Sequence, residues 1–410
     1  MKQKEKNSRL LFIALLSIFF IFLLYSSPYA ATCDLPGDFV GLMGDPTPDG
    51  KVDFNDLMVF ATAYGSETGD PNWNALCDIC GYLGDPTPDG KVNFDDLMIF
   101  ATNYGKVCPV HNLTKGTYYN TIQAAIDDAD SGDTVEVSPG TYYENINFSG
   151  KNITLRSTDP NDLSVVVSTI IDGGGNGSVV TFQSGETAQA VLSGFTFLNG
   201  NSGLDHGGGI YAENSSPTIE NNIIRNNVTS NWGGGIYVEN SSSVITGNTI
   251  TANVSNFGGG IFVCNGSFPN ISSNIITNNT AENHGGGIYV NYSSPTIVDN
   301  IINDNVATGR TGYGGGICVW MGSSPTIKGN TLNNNNADII GGGIFVYSSS
   351  NLLPTTNRPT GWGTGRENIP TGVPLVPVEG VKYTIAGNEF LGNEHGDPLD
   401  YTEGAHVYFY

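Results

Sequence analysis

The chain has 410 residues, enough for two average domains, and carries 39 acidic against 16 basic side chains, a formal charge of −23. Nucleic acid is excluded as a partner, because its phosphates demand clustered Lys and Arg. The 55 glycines could accompany disorder, but they recur in register with Ile and Val, which predicts a folded repeat.

At the start, Lys2, Lys4, Lys6 and Arg9 precede an apolar run from Leu10 to Tyr25, and Ala30 and Ala31 follow. This order predicts a signal peptide over 1–31 and a secreted or cell-surface protein with no membrane span after cleavage. Six cysteines suit an oxidising compartment, and Cys33, Cys77, Cys80 and Cys108 allow three pairings.

Residues 32–108 contain two copies of one pattern, 40 residues apart: "GDPTPDGKVDFNDLMVFATAYG" from Gly44 and "GDPTPDGKVNFDDLMIFATNYG" from Gly84. A calcium ion needs several oxygens on a loop curled round one point, with Gly at the sharp turn. The first loop offers Asp45, Thr47, Asp49, the Lys51 carbonyl, Asp53 and Asp56 around Gly50. The second offers Asp85, Thr87, Asp89, the Lys91 carbonyl, Asn93 and Asp96 around Gly90. Helical spacing follows each loop, through Leu57, Phe60, Ala61 and Tyr64, then Leu97, Phe100, Ala101 and Tyr104. The stretches "DGKVDFNDL" and "DGKVNFDDL" resemble the dockerin repeat, with Asp where an EF-hand has Glu. That resemblance implies an EF-hand-type calcium-binding module that docks to a cohesin-like partner, often on a polysaccharide-degrading enzyme. Thr47 and Thr87 depart from the usual Asn or Asp, which implies weaker calcium binding.

The remaining chain, 109–410, begins with a short amphipathic helix through Ile122, Ala125, Ile126 and Ala129. Strands are predicted at 134–137, 144–148 and 152–155. This opening resembles the capped start of right-handed parallel β-helices of the pectin lyase-like superfamily. Six glycine triplets follow, opening at Gly207, Gly233, Gly258, Gly285, Gly314 and Gly341, a step of 25 to 29 residues that suits one three-stranded coil. Three Ile-rich columns align. One runs from Ile210 through Ile236, Ile261, Ile288 and Ile317 to Ile344, with Ala212 and five valines two residues on. A second runs from Ile219 to Ile385, and a third from Ile224 to Phe390. The period of two turns them into one core. Two Asn columns, from Asn222 and from Asn227, are expected to fill tight turns and bond from coil to coil. The fold class is therefore mainly β, a right-handed three-sided parallel β-helix behind a small α-helical module. Residues 348–381 break the repeat as an insertion, "YTIAGNEFLGN" resumes it, and "GAHVYFY" reads as a last partial strand. Cys264 and Cys318 fall two coils apart, so with coils spaced about 4.8 Å they lie beyond disulfide reach and are expected free.

Residues between the inward columns point outward. These are Tyr211, Tyr237, Phe262, Tyr289, Cys318 and Phe345, then Glu213, Glu239, Cys264, Asn291, Trp320 and Tyr347. Just before the glycines stand His206, Trp232, Phe257, His284, Tyr313 and Ile340. Aromatic rings and acids suit the flat apolar faces and hydroxyls of sugars, so Tyr211, Tyr237, Phe262, Tyr289, Trp232 and Trp320 are candidate substrate-binding residues. The alternative is that the rings pack on one another or beneath the insertion. Related β-helix enzymes place their substrate on this side. Glu213 and Glu239, one coil apart, fall near the roughly 5 Å separation of a retaining glycosidase. A lyase would draw on Asp205, His206, His284 and Arg310. The paired-Asp motif of polygalacturonases and an arginine cluster of the pectate lyase kind are both missing. Function then divides between a polysaccharide lyase or hydrolase in polysaccharide catabolism, a non-catalytic carbohydrate-binding or adhesive protein, and a spacer.

Overall fold

The computed structural model describes residues 51–72, 74, 91–103, 108–309, 312–347, 384–386, 388–391, 394–395 and 407–409. The signal segment 1–31, Cys33, Cys77, Cys80, the loop ligands Asp45, Thr47, Asp49, Asp85, Thr87 and Asp89, as well as Arg310 and the insertion 348–381, lie outside the described residues. The chain divides into two compact units. Met1–His111 with Gly116–Ala125 forms one, and Asn112–Lys115 with Ile126–Tyr410 forms the other.

In the first unit the two predicted helices are Phe54–Ala63 and Phe94–Asn103. Asp53 caps the first through its side chain, which accepts from the Asn55 amide, and Asp56 reciprocates by accepting from the Asp53 amide at 2.8 Å. Asp96 accepts from the Asn93 amide in the same way. Val52, Phe60, Ala63, Val92, Leu97 and Phe100 form a small core, with the Phe60 and Phe100 rings stacked at 5.2 Å. Ala63 rather than Ala61 faces that core; Ala61 is exposed. Cys108 is disulfide-bonded.

In the second unit each coil contributes one strand to each of several parallel sheets. The first sheet runs from Thr134–Val137 to Thr384–Ala386, the second from Gly140–Tyr143 to Glu389–Leu391, and the third from Ile146–Asn147 to Val407–Phe409. The register is that of the Ile columns: Ile219 pairs with Ile245, Ile224 with Ile250, and Ile210 with Ile236. All six of these side chains are fully buried. The chain after the insertion returns to register, with Ile385 opposite Ile327 and Phe390 opposite Leu332. The last strand, Val407–Phe409, pairs with Ile344–Val346.

The coil has one side more than expected. A fourth, five-stranded sheet begins at Val254–Phe257 and continues through Thr280–His284, Val306–Ala307, Asn336–Ala337 and Glu394–His395. Its inward positions are small, Ser255, Ala281, Ala307 and Ala337, and all are buried. Small side chains give a weak hydrophobic signal, so this sheet escapes a reading based on large apolar columns.

The turns explain the asparagines. Asn248 Oδ1 accepts from the Asn222 amide at 3.0 Å and from Asn222 Nδ2 at 3.1 Å, and the pattern repeats through Asn274, Asn300, Asn330 and Asn388. The second ladder links Asn227, Asn253, Asn279, Asn305 and Asn335. The left-handed backbone, however, belongs to the residue before each ladder asparagine from Asn222 to Asn335, such as Asn221 (φ 55°) and Asn226 (φ 55°). At the same step Ala252 has φ 54° and Gly247 φ 67°. The ladder asparagine is thus chosen for its amide and its neighbour for the bend. A buried serine ladder through Ser241, Ser267, Ser293 and Ser323 closes the remaining turn, with Ser241 N donating to Ser267 Oγ at 3.2 Å.

Candidate functional site

The glycine triplets build the outer face of the third sheet. Gly233 sits at φ 72°, and a Cβ there would stand 2.7 Å from the Ile236 carbonyl oxygen and 3.0 Å from the Tyr237 Cα. A Cβ on Gly234 or Gly235 would meet the backbone oxygen of the glycine one coil on, at 2.6 and 2.5 Å. The first glycine therefore folds the preceding segment back over the strand, and the other two let coils stack at backbone distance.

The fold-back has a consequence for the rings. Where the next coil carries an outward ring, the ring before a triplet lies on it: His206 on Tyr237 at 4.6 Å, Trp232 on Phe262 at 5.1 Å, and Tyr313 on Phe345 at 4.7 Å. His206 also stacks on Trp232 at 4.4 Å, and His284 on Trp320 at 4.8 Å. Tyr237, Phe262, Cys264, Tyr289, Cys318 and Phe345 are consequently buried as a second hydrophobic cluster outside the sheet. The expectation of an open floor made from Tyr237, Phe262 and Tyr289 is corrected here: they point outward from the sheet, yet a second layer of rings covers them. The rim of that cluster stays partly accessible at Tyr211, Trp232, Phe257, Tyr313, Trp320 and Tyr347.

Polar groups gather at one end. Glu213 and Glu239 are direct neighbours across paired strands. Tyr211 Oη donates to Glu213 Oε2 at 2.7 Å, and Tyr237 Oη to Glu239 Oε2 at 2.5 Å. Asn265 Nδ2 donates to Glu239 Oε1 and Cys264 Sγ donates to Tyr237 Oη at 3.3 Å. Both phenols are held protonated, first by burial and then by their hydrogen-bonded neighbours. Burial likewise pushes the Cys264 thiol up to about 12 and the Cys318 thiol well above its ordinary value. Burial holds His206 below its ordinary value, against the opposing pull of Glu239, Asp205 and Glu213, and its Nδ1 is buried with no hydrogen-bond partner.

The structure therefore brings His206, Tyr211, Glu213, Trp232, Tyr237 and Glu239 together. It leaves His284 three coils away, buried among Phe257, Tyr289, Tyr313 and Trp320. The Tyr–Glu pairs were not foreseen, although residues i and i+2 of a strand share a face and that spacing signals them. Cys264 and Cys318 are both free thiols.

Among the described residues no three His, Cys, Asp or Glu side chains come together to hold a metal ion, and no helix is long and apolar enough to cross a membrane. No curated protein and no solved structure matches the chain. Residues 259–403 match a family model described as periplasmic copper-binding protein (NosD). The soft donors described within that span are Cys264, Met321, Cys318 and His284. The two thiols occupy different columns two coils apart and keep their protons, so these residues do not fit a copper ion. Residues 115–324, just over half of the chain, match the model of the right-handed β-helix region, and the protein belongs to that family.

Proposed function

We propose that the protein is an extracytoplasmic β-helix protein that holds polysaccharide on the rim of its outer ring cluster. The observation that carries this reading is the half-buried row of Tyr211, Trp232 and Trp320, edged by Glu213. Rings of this kind meet the C–H faces of sugars while a carboxylate accepts from hydroxyls. The basic-then-apolar start and the likeness to a family described as periplasmic support the location.

The first unit serves as a dockerin-like calcium module that docks to a cohesin-like partner. Its described donors are all oxygens, the Lys51 and Lys91 carbonyls with Asp53, Asp56, Asn93 and Asp96, and the Asp56 and Asp96 side chains are fully buried at helix starts. A hard cation takes such a set, so the residues fit calcium in kind. Bound calcium would neutralise these carboxylates and tie each loop to its helix. Titration calorimetry is expected to show calcium heat that Asp45→Ala and Asp85→Ala together abolish; heat surviving both changes refutes the site.

Retention on a panel of neutral and acidic polysaccharides, with and without calcium, tests the binding surface. Trp320→Ala and Tyr211→Ala are expected to weaken retention, and no retention of any glycan by the unaltered protein overturns the reading. The adjacency of Glu213 and Glu239 favours a second reading as a hydrolase in polysaccharide catabolism. New reducing ends lost in Glu213→Gln would support it, and unsaturated products would point instead to a lyase.

A further inference from the structure

Building on the polysaccharide reading, we infer that the open end of the ring ladder at Tyr211 binds a terminal amino sugar, with the ammonium group on Glu213. The ladder stops there. On the preceding strand the residue aligned with Tyr211 is Thr181, which carries no ring. Tyr211 stacks on Tyr237 at 5.3 Å and 8°, and on no other ring among the described residues. Tyr237 is covered by Tyr211 on one side and by Phe262, at 5.6 Å, on the other. Tyr237 is accordingly 1% exposed, whereas Tyr211 is only half-buried. No second ring therefore covers the Tyr211 face beside Thr181, and a phenol face attracts both a pyranose C–H face and a cation.

The carboxylates choose the ligand's charge. Glu239 has both oxygens engaged, one accepting from Tyr237 and the other from Asn265. Glu213 has given Oε2 to Tyr211, and its Oε1 accepts no hydrogen bond among the described residues. The spare acceptor therefore lies at the open end of the ladder. Glu213, Glu239 and Asp205 all act on the same His206 side chain, so three negative charges converge here. The described strands of the third sheet contain no Lys or Arg. Arg156 pairs with Glu136 on the first sheet, while Arg225 lies on the second and Lys328 on the first. A uronate would meet like charges with no counterion, whereas a protonated amine would gain a charge-assisted bond to Oε1.

Calorimetry with short β-linked glucosamine oligomers tests this, each carrying one free amine at the non-reducing end, against fully N-acetylated oligomers, neutral glucan oligomers and oligogalacturonate. The free-amine oligomer is expected to bind about tenfold tighter than its acetylated counterpart. Glu213→Gln, which keeps an acceptor for Tyr211, is expected to erase that difference, and Tyr211→Ala to weaken both ligands. Glu220→Gln on the first sheet removes the same charge elsewhere and is expected to leave the preference intact. Equal affinity for the two oligomers, an unchanged preference in Glu213→Gln, an equal loss in Glu220→Gln, or tightest binding by oligogalacturonate each overturns the inference. If neutral glucans bind without any amine preference, only this inference fails; if no oligomer binds, the polysaccharide reading fails with it.

Discussion

Single residues in this fold are held by backbone proximity as much as by side-chain contact, and the glycine triplets show it. A Cβ at Gly259 would lie 2.5 Å from the Gly286 carbonyl oxygen and 2.6 Å from the Thr280 carbonyl carbon. Both are backbone atoms, so relief requires parting two coils. Gly259→Ala is expected to cost about 3 kcal/mol or more in chemical denaturation. Gly266→Ala makes the useful contrast: φ is 73° there but nothing lies within 4 Å, so only the left-handed strain remains, about 1–2 kcal/mol. Equal losses would refute the steric account. His206 supplies a pH dependence. Its folded-state affinity for a proton is lowered from an ordinary value of 6.5, with burial the leading cause. The unfolded chain binds that proton more tightly, so this contribution to stability is complete above about pH 6.5 and is lost as pH falls below it. An NMR titration of the imidazole is expected to give a midpoint under 6.5, and His206→Gln to flatten the acid side of the stability profile. A midpoint at or above 6.5 would count against the burial of this ring.

At the scale of elements, the ladders decide whether turns hold. Asn274 Oδ1 accepts from the Asn248 amide at 2.9 Å and from Asn248 Nδ2 at 3.0 Å, while its own Nδ2 donates to Ile245 O, Ser272 O and Asn300 Oδ1. Asn274→Ala strands several buried groups at once. Each costs about 1–3 kcal/mol unpaired, so a loss of roughly 3 kcal/mol or more is expected in a denaturant titration. Asn278 at the next turn is exposed and left-handed (φ 56°), and the same step is already Ala252 one coil earlier. Asn278→Ala is therefore expected to change stability by under about 1 kcal/mol. The inward columns and both asparagine ladders were legible in the sequence because one residue type recurs at one spacing. The fourth sheet was not, since Ser255, Ala281 and Ala307 look like turn residues until their neighbours are known. Nor was the fate of Tyr237. Period two says that it leaves the sheet, but not that His206 and Trp232, brought round by Gly207 and Gly233, lie over it. The partly accessible end at Tyr211 follows only once the stacking order is seen.

Across the whole second unit, every sheet pairs strands of consecutive coils, and in the third sheet the register is unbroken from Ile210 to Ile344. Stability in such a repeat is a sum over coils and their interfaces rather than the property of one centre. A whole coil is therefore removable, provided that every column keeps its phase. Deleting residues 233–257 joins Trp232 to Gly258. Ile210 then meets Ile261, Asn222 meets Asn274 and Asn227 meets Asn279, each column intact. The shortened chain is expected to keep its β-rich circular dichroism per residue and a cooperative thermal transition. Deleting only residues 246–257 removes about half a coil and joins a first-sheet strand directly to the glycine turn. That chain loses Asn248 and Asn253 while keeping the Ile245 half of the coil, so neither ladder can close across the gap. It is expected to lose the cooperative transition. If both deletions melt alike, register between coils is not what holds this protein together, and the columns read from its sequence describe composition rather than architecture.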